Sequence, residues 1–104
     1  MSLLSITFHA TDSVMKEWEI FVDETLVLLA DNLMDVDRYF LSEVQSEMVN
    51  EGKNYNLLLV FANEELREQF VESELENIRD RIEPKFGTEV MIFLTYLNPK
   101  KTRP

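Results

Sequence analysis

The sequence predicts an α+β fold in which one four-stranded antiparallel sheet packs against two helices. The segments 55–62 and 90–97 are apolar or aromatic at nearly every position, which is typical of strands with both faces covered. Two amphipathic stretches, one before residue 32 and one after residue 63, supply the helices. Because two helices cover only one face of such a sheet, a second copy of the chain is expected to cover the other face.

The first strand and the first helix follow from local patterns. Residues 3–9 alternate between apolar and polar side chains, as a half-buried strand does. Asp12 or Ser13 is expected to cap a helix that runs to about residue 32, since a short side-chain oxygen accepts from an amide that is otherwise free. The inward stripe of this helix is predicted to consist of Met15, Trp18, Phe21 or Val22, Leu26 and Leu29.

The middle of the chain predicts a hairpin. Residues 34–45 form the expected second strand, and residues 50–54 form a turn in which Gly52 takes the left-handed position. Residues 55–62 form the third strand, which is the most continuously apolar of the four. A central place in the sheet would bury it in this way.

The second helix and the fourth strand complete the pattern. Asn63 is expected to cap the helix, Pro84 and Gly87 to end it, and residues 89–97 to form the last strand, which Pro99 stops. The buried stripe of the helix is predicted to be Leu66, Phe70, Leu75, Ile78 and Ile82. An acidic residue also recurs at every fourth position, which predicts a ridge of like charge at Glu64, Glu68, Glu72, Glu76 and Asp80.

This order of elements is that of the ferredoxin-like βαββαβ sandwich, with the sheet order 4-1-3-2 and both helices on one face. A chain of 104 residues is the size of one ordinary domain. We therefore expect a single domain over residues 1–99 and a basic tail over residues 100–104.

Composition excludes several kinds of partner and cofactor. The chain has 20 acidic and 10 basic residues, and its net charge of −10 argues against nucleic acid and anionic membranes as partners. With no cysteine, one histidine and only two glycines, we expect no metal site, no Gly-rich phosphate loop and no cofactor. No apolar run is long enough to span a bilayer and no basic leader is present, so the expected location is the cytoplasm.

Short motifs in the chain resemble those of a known family. The motifs are Asp12-Ser13-Val14, Glu17-Trp18, Gly52-x-x-Tyr55 and Phe86-Gly87. With the order of elements, they resemble a family of uncharacterised bacterial proteins labelled only as a domain of unknown function, which looks like a branch of the dimeric alpha/beta-barrel superfamily. The resemblance implies a homodimer, and relatives in the superfamily include cofactor-free oxygenases and barrels that bind hydrophobic ligands. Many family members carry a histidine and a proline in the second half of helix 1, and residues 24–28 here have neither.

Two hypotheses of function follow. The first is a homodimeric binding or interaction module that holds a small apolar ligand between the sheets without turnover. The second is a cofactor-free oxygenase- or isomerase-like enzyme in which His9 converges with Tyr55 or Glu43 and acts as an acid or base near neutral pH. An ordinary rim position at the end of a strand is the favoured interpretation of His9, and the binding module is therefore the favoured hypothesis.

The dimer interface is predicted on the sheet face opposite the helices. Strand 1 is polar on one side, so its apolar row faces the helices, and strand 3 then presents a second apolar row to the partner. For that outer row we predict Tyr55, Leu57, Leu59 and Phe61. The alternative row, which contains Leu58 and Val60, stays open. Replacing Leu59 with Glu is expected to split the dimer or to cause aggregation.

Overall fold

One antiparallel sheet is the centre of the fold in the computed structural model, which describes residues 1–46 and 51–103. Its strands are β1 (Ser2–Ala10), β2 (Val36–Glu43), β3 (Lys53–Phe61) and β4 (Val90–Leu97). They lie in the order β2-β3-β1-β4, which is the predicted order read from the other edge. The α+β class and the sheet order are therefore confirmed.

The first helix, helix 1, consists of four consecutive segments. A 3-10 turn (Asp12–Val14) leads into α1 (Met15–Phe21), a π-helical turn (Val22–Leu26) and α2 (Val27–Asp31). Its buried residues recur mainly at every fourth position, at Trp18, Val22, Leu26 and Ala30. A straight α-helix has about 3.6 residues per turn, so this stripe would drift off the sheet, and the wider π-turn reduces the drift. Phe21 and Val22 are both buried, where the sequence pattern left a choice between them.

The predicted cap of this helix is wrong. Neither Asp12 nor Ser13 bonds to a free amide of α1 through its side chain. Asp12 instead accepts from the Gly52 amide at 3.1 Å, and Ser13 donates to Glu89 at 2.9 Å. Both side chains are used to join the helix entrance to the hairpin and to the start of β4, which are distant in sequence.

The second helix has a break at Ser73, between α3 (Glu64–Glu72) and α4 (Glu74–Phe86). Asn63 caps α3 as predicted, because its side chain accepts from the Leu66 amide at 2.9 Å. Pro84 was expected to help end the helix, yet it lies inside α4, which continues to Phe86. Phe86 packs its ring against Trp18 and Phe21 of α1, so tertiary burial extends the helix past the proline. The break also means that the predicted acidic ridge is not carried by one continuous helix.

The core lies between the sheet and the two helices, and it contains the row of β3 that was predicted to face outward. Leu57 and Leu59 are fully buried, and each pairs with a buried residue of β1. Residues paired across strands share a face, so this row belongs to the covered face. The prediction of Tyr55, Leu57, Leu59 and Phe61 as the outer row is therefore wrong. The alternative row, with Leu58 and Val60, faces away from the helices.

The opposite face of the sheet, which we name the open face, has no helix over it. It is formed by the second row of each strand, which consists of Leu3, Ser5, Thr7 and His9 of β1, Arg38, Phe40 and Ser42 of β2, Asn54, Asn56, Leu58 and Val60 of β3, and Met91, Phe93, Thr95 and Leu97 of β4. Its side chains are half-buried or exposed. None of the helices in the described ranges is both long and apolar enough to cross a membrane.

Candidate functional site

A cleft lies on the covered face, between helix 1 and the edge strand β2. Its volume is about 410 Å³, and two of its lining residues, Val22 and Asp23, belong to the π-turn. Across the cleft, β2 contributes Leu41 and Glu43, and Tyr55 lines it from β3. The π-turn therefore places one apolar and one acidic side chain on the same side of the cleft.

Tyr55 is the buried polar group of this cleft. Burial raises the pKa of its phenol to about 12, and the negative charges of Glu19, Glu43 and Asp23 act in the same direction. Lys53 offsets part of this charge, since its Nζ lies 3.7 Å from Glu19 and 3.5 Å from Glu43. The phenol consequently keeps its proton at neutral pH, so it can donate a hydrogen bond but cannot serve as a base.

Tyr39 closes the other end of the cleft. Its hydroxyl donates to the carboxylate of Asp31 at the end of α2. This hydrogen bond is the first cause of a raised pKa for the Tyr39 phenol, with burial and the Asp31 charge adding to it. The bond ties the end of helix 1 to β2 and leaves the Tyr39 proton already engaged.

His9 lies on the open face, away from the cleft. Its Nδ1 donates to Asn54 Oδ1 at 2.7 Å. The imidazole ring also lies close to Gly52, since a Cβ added at Gly52 would be only 3.0 Å from the ring atoms Cε1 and Nε2. Tyr55 pairs with Phe8 in the sheet, one position along from His9, so it points to the opposite face. The structure brings Glu43 and Tyr55 together but separates both from His9. The predicted convergence of these three residues is wrong.

Polar side chains at the centre of the open face are bonded to one another. Asn56 donates from Nδ2 to the hydroxyl of Ser5 at 2.7 Å and to that of Thr7 at 3.1 Å. This cluster lies between two apolar regions of the same face. One is at the hairpin end, with Met91 and Phe93, and the other is at the end where the chain leaves β4.

A groove of about 810 Å³ occupies that second end of the open face, under the residues that follow β4. Its floor is apolar and consists of Leu3, Phe40, Leu58, Val60 and Leu97. Its rim carries the cations Arg38, Lys101 and Arg103 and one acid, Asp37. We call this feature the tail groove. No set of three or more His, Cys, Asp or Glu side chains able to hold a metal ion occurs within residues 1–46 and 51–103.

A family profile matches residues 1–100 of this chain. The chain belongs to the family described as "Domain of unknown function (DUF4286)". Membership in an uncharacterised family is therefore confirmed, as the short motifs predicted. No curated protein matches the chain.

Among solved structures, this DUF4286 chain is similar to the crystal structure of a PII-like signaling protein from Thermus thermophilus. The identity is 17%, the TM-score is 0.40, and the alignment covers 93% of this chain and 87% of that chain. A similarity of this size is too distant to support any conclusion about function.

Sequence reasoning about this DUF4286 chain missed one buried residue, Arg67. Only 4% of it is exposed, and its Nη1 donates to the carbonyls of Leu3 at 3.0 Å and Leu97 at 3.2 Å. The guanidinium also lies over the Tyr96 ring, 5.2 Å from its centre. Arg67 precedes the buried Phe70 by three positions and so falls on the buried face of α3, which is the signal that could have found it. It joins the start of β1 to the end of β4.

Proposed function

We propose that this DUF4286 chain is a homodimeric binding module that pairs its open face with that of a second copy and holds a small apolar ligand between the sheets. The observation that carries the proposal is the character of the open face. It combines large exposed apolar side chains with a complete lack of acidic residues in its described rows.

The apolar side chains supply the driving force for association. Phe40, Met91, Phe93 and Leu97 are each between 39% and 49% exposed. Covering a half-exposed side chain of this size contributes about 1 kcal/mol, and both copies contribute the full set. Association costs about 4–15 kcal/mol in lost freedom, so burial of this set offsets a large part of that cost and the remaining contacts of the open face supply the surplus. Uncovered, the same set would be an apolar patch of the kind that marks interaction sites.

The charge distribution directs association to this face. Two copies with a net charge of −10 repel each other through most of their surfaces. The described strand rows of the open face carry no carboxylate, and Asp37 lies beside them in a bulge of β2. Under a two-fold axis, the open face of each chain would cover the open face of the other, and the assembly would be closed at two chains.

The polar centre of the face is compatible with burial. The amide nitrogen of Asn56 donates to the hydroxyls of Ser5 and Thr7 within one chain, so a partner need not supply an acceptor for this nitrogen. The apolar ends beside this cluster are left for contact with the partner and with a ligand. The tail groove has the volume that small-molecule sites have, roughly 300–1,000 Å³.

Sedimentation and native mass spectrometry of matched variants test this proposal. Phe93→Glu places a charge on the open face, whereas Leu28→Glu places one at a comparably exposed position of helix 1, at 59% against 49%. We expect a dimer for the wild type and for Leu28→Glu, and a folded monomer for Phe93→Glu. A wild-type protein that sediments as a monomer at micromolar concentration would overturn the proposal. So would a Phe93→Glu variant that stays dimeric.

The enzymatic alternative gains no support from the geometry. It needed His9 beside Tyr55 or Glu43, and the sheet places His9 on the opposite face from both. Asn54 and Gly52 surround the imidazole instead. A structural role at the hairpin explains these contacts without any reaction.

A further inference from the structure

We infer that the tail groove binds a free medium-chain carboxylate, with its alkyl chain on the apolar floor and its carboxylate against Arg38, Lys101 and Arg103. The inference rests on the proposed function in that it names the ligand class that the open face would hold. The strand register of the floor residues and the positive charge of the rim residues both favour such a ligand.

The floor extends across the sheet as a continuous apolar strip. Leu3 of β1 pairs with Leu97 on one side and with Val60 on the other, and Leu58 pairs with Phe40 of the edge strand β2. Neighbouring strands lie about 4.8 Å apart, so the strip from β4 to β2 is roughly 14 Å long. An extended alkyl chain of medium length fits a strip of this shape better than a compact ring does.

The rim concentrates positive charge in an acidic protein. It contains three of the ten basic residues of a chain that has 20 acidic ones. Over the described parts of the chain, none of the three forms an ion pair with a carboxylate. Asp37 is the acid that lines the same groove. The rim cations are thus free to receive an anionic group from a ligand.

The position of Arg38 joins the charged rim to the apolar floor. Its guanidinium carbon lies 5.1 Å from the centre of the Phe40 ring, so the charge rests at the edge of the strip. Pro99 is half-buried, and Lys101 and Arg103 follow it along the groove. A ligand with an anionic head and an apolar tail would satisfy both parts at once, whereas a neutral or cationic ligand would satisfy only the floor.

A dispersed amphiphile is favoured over an anionic bilayer surface. The groove is a single strip, and the rest of the chain carries an excess of negative charge that a bilayer of anionic lipids would repel. The ligand class is therefore a free fatty acid rather than a lipid head group within a membrane.

Titration with dodecanoate below its micelle concentration tests the inference, with dodecyltrimethylammonium and dodecanol as head-group controls. We expect the 104-residue chain to bind dodecanoate at least tenfold more tightly than the ammonium compound. Arg38→Gln, and separately the double variant Lys101→Gln with Arg103→Gln, should each weaken dodecanoate binding about tenfold, because each removes a charge-assisted contact. Arg81→Gln, at an exposed arginine of α4 outside the groove, should leave binding unchanged.

Several outcomes would overturn the inference. These are an absence of dodecanoate binding, equal binding of dodecanoate and the ammonium compound, and binding that neither set of glutamine variants weakens. Binding to vesicles of anionic phospholipid in preference to dispersed dodecanoate would also overturn it.

Sedimentation of the same samples separates this inference from the proposed function. A dimer that ignores dodecanoate would refute the ligand class and leave the dimer intact. A monomer that binds dodecanoate through Arg38 would support the ligand class and refute the dimer. Circular dichroism of each variant checks that lost binding does not come from lost folding.

Discussion

The two faces of the sheet place leucines of one strand in opposite surroundings. On β3, Leu59 is fully buried beneath the helices, and its neighbour Leu58 is half-buried on the open face. Both are leucines in the same strand, so residue type does not distinguish them. The comparison shows that the strand register decides which leucine is buried, because residues paired across strands lie on the same face. Leu59 pairs with the buried Leu4 of β1, whereas Leu58 pairs with Ser5 on the open face.

The strongest test of this comparison is a pair of alanine substitutions in β3. Leu59→Ala should lower the free energy of unfolding by about 2–5 kcal/mol, because it leaves a cavity in the core. Leu58→Ala should cost clearly less when measured on the monomeric Phe93→Glu background, since the open face is then in water. Urea unfolding of both variants measures the difference. Equal losses would mean that the open face is covered within one chain.

The burial of Leu59 also changes the outcome expected for Leu59→Glu. The sequence pattern predicted that it would split the dimer, whereas a fully buried position predicts loss of folding.

A pH titration tests the covered face through Tyr55. Because the pKa of this phenol is raised from 10.0 to about 12 in the folded state, the folded protein holds the proton more firmly than the unfolded chain. The resulting stability is fully present below pH 10 and is lost as the pH rises through about 12. Tyr55→Phe lacks this contribution, so the wild type should lose stability relative to the variant between pH 10 and 12. Parallel stability curves over that range would show that Tyr55 is not held in a negative, desolvated site.

The smallest expected effect is on the open face, at His9. His9→Ala removes the bond to Asn54 and should lower the free energy of unfolding by only about 0.5–1.5 kcal/mol, as is usual for one side-chain hydrogen bond. Thermal unfolding at neutral pH measures this change, with Asn54→Ala as the matched variant that removes the other partner. A loss of several kcal/mol from His9→Ala alone would contradict a rim position.

Sequence patterns predicted the features that depend on neighbours along the chain. The strands, their order and the Asn63 cap each follow from alternation, element order or a local hydrogen bond, and all are observed. The choice of row on β3 was wrong because residues 57–61 are all apolar and hide the alternation. Asn54 and Asn56, in the same row as Leu58, were the signal that this row is the more polar one.

Features that depend on distant residues were out of reach of the sequence. Asp12 is a residue type that commonly caps helices, but its carboxylate accepts from the amide of Gly52, which is distant in sequence. The convergence of His9 with Tyr55 failed by one position of register, which in a sheet changes the face. The tail groove could not be anticipated, because the basic residues after β4 lie against the open face only in three dimensions.

The two backbone acceptors of Arg67 have a consequence for the order in which the elements fold during synthesis. During synthesis the carbonyl of Leu3 is present early, whereas that of Leu97 leaves the ribosome much later. Until β4 arrives, the guanidinium has only one of its two backbone acceptors and must stay hydrated, because burying an unsatisfied charge is costly. We therefore expect α3 to settle onto the sheet only when the final strand has been released, so β1 and β4 complete folding together.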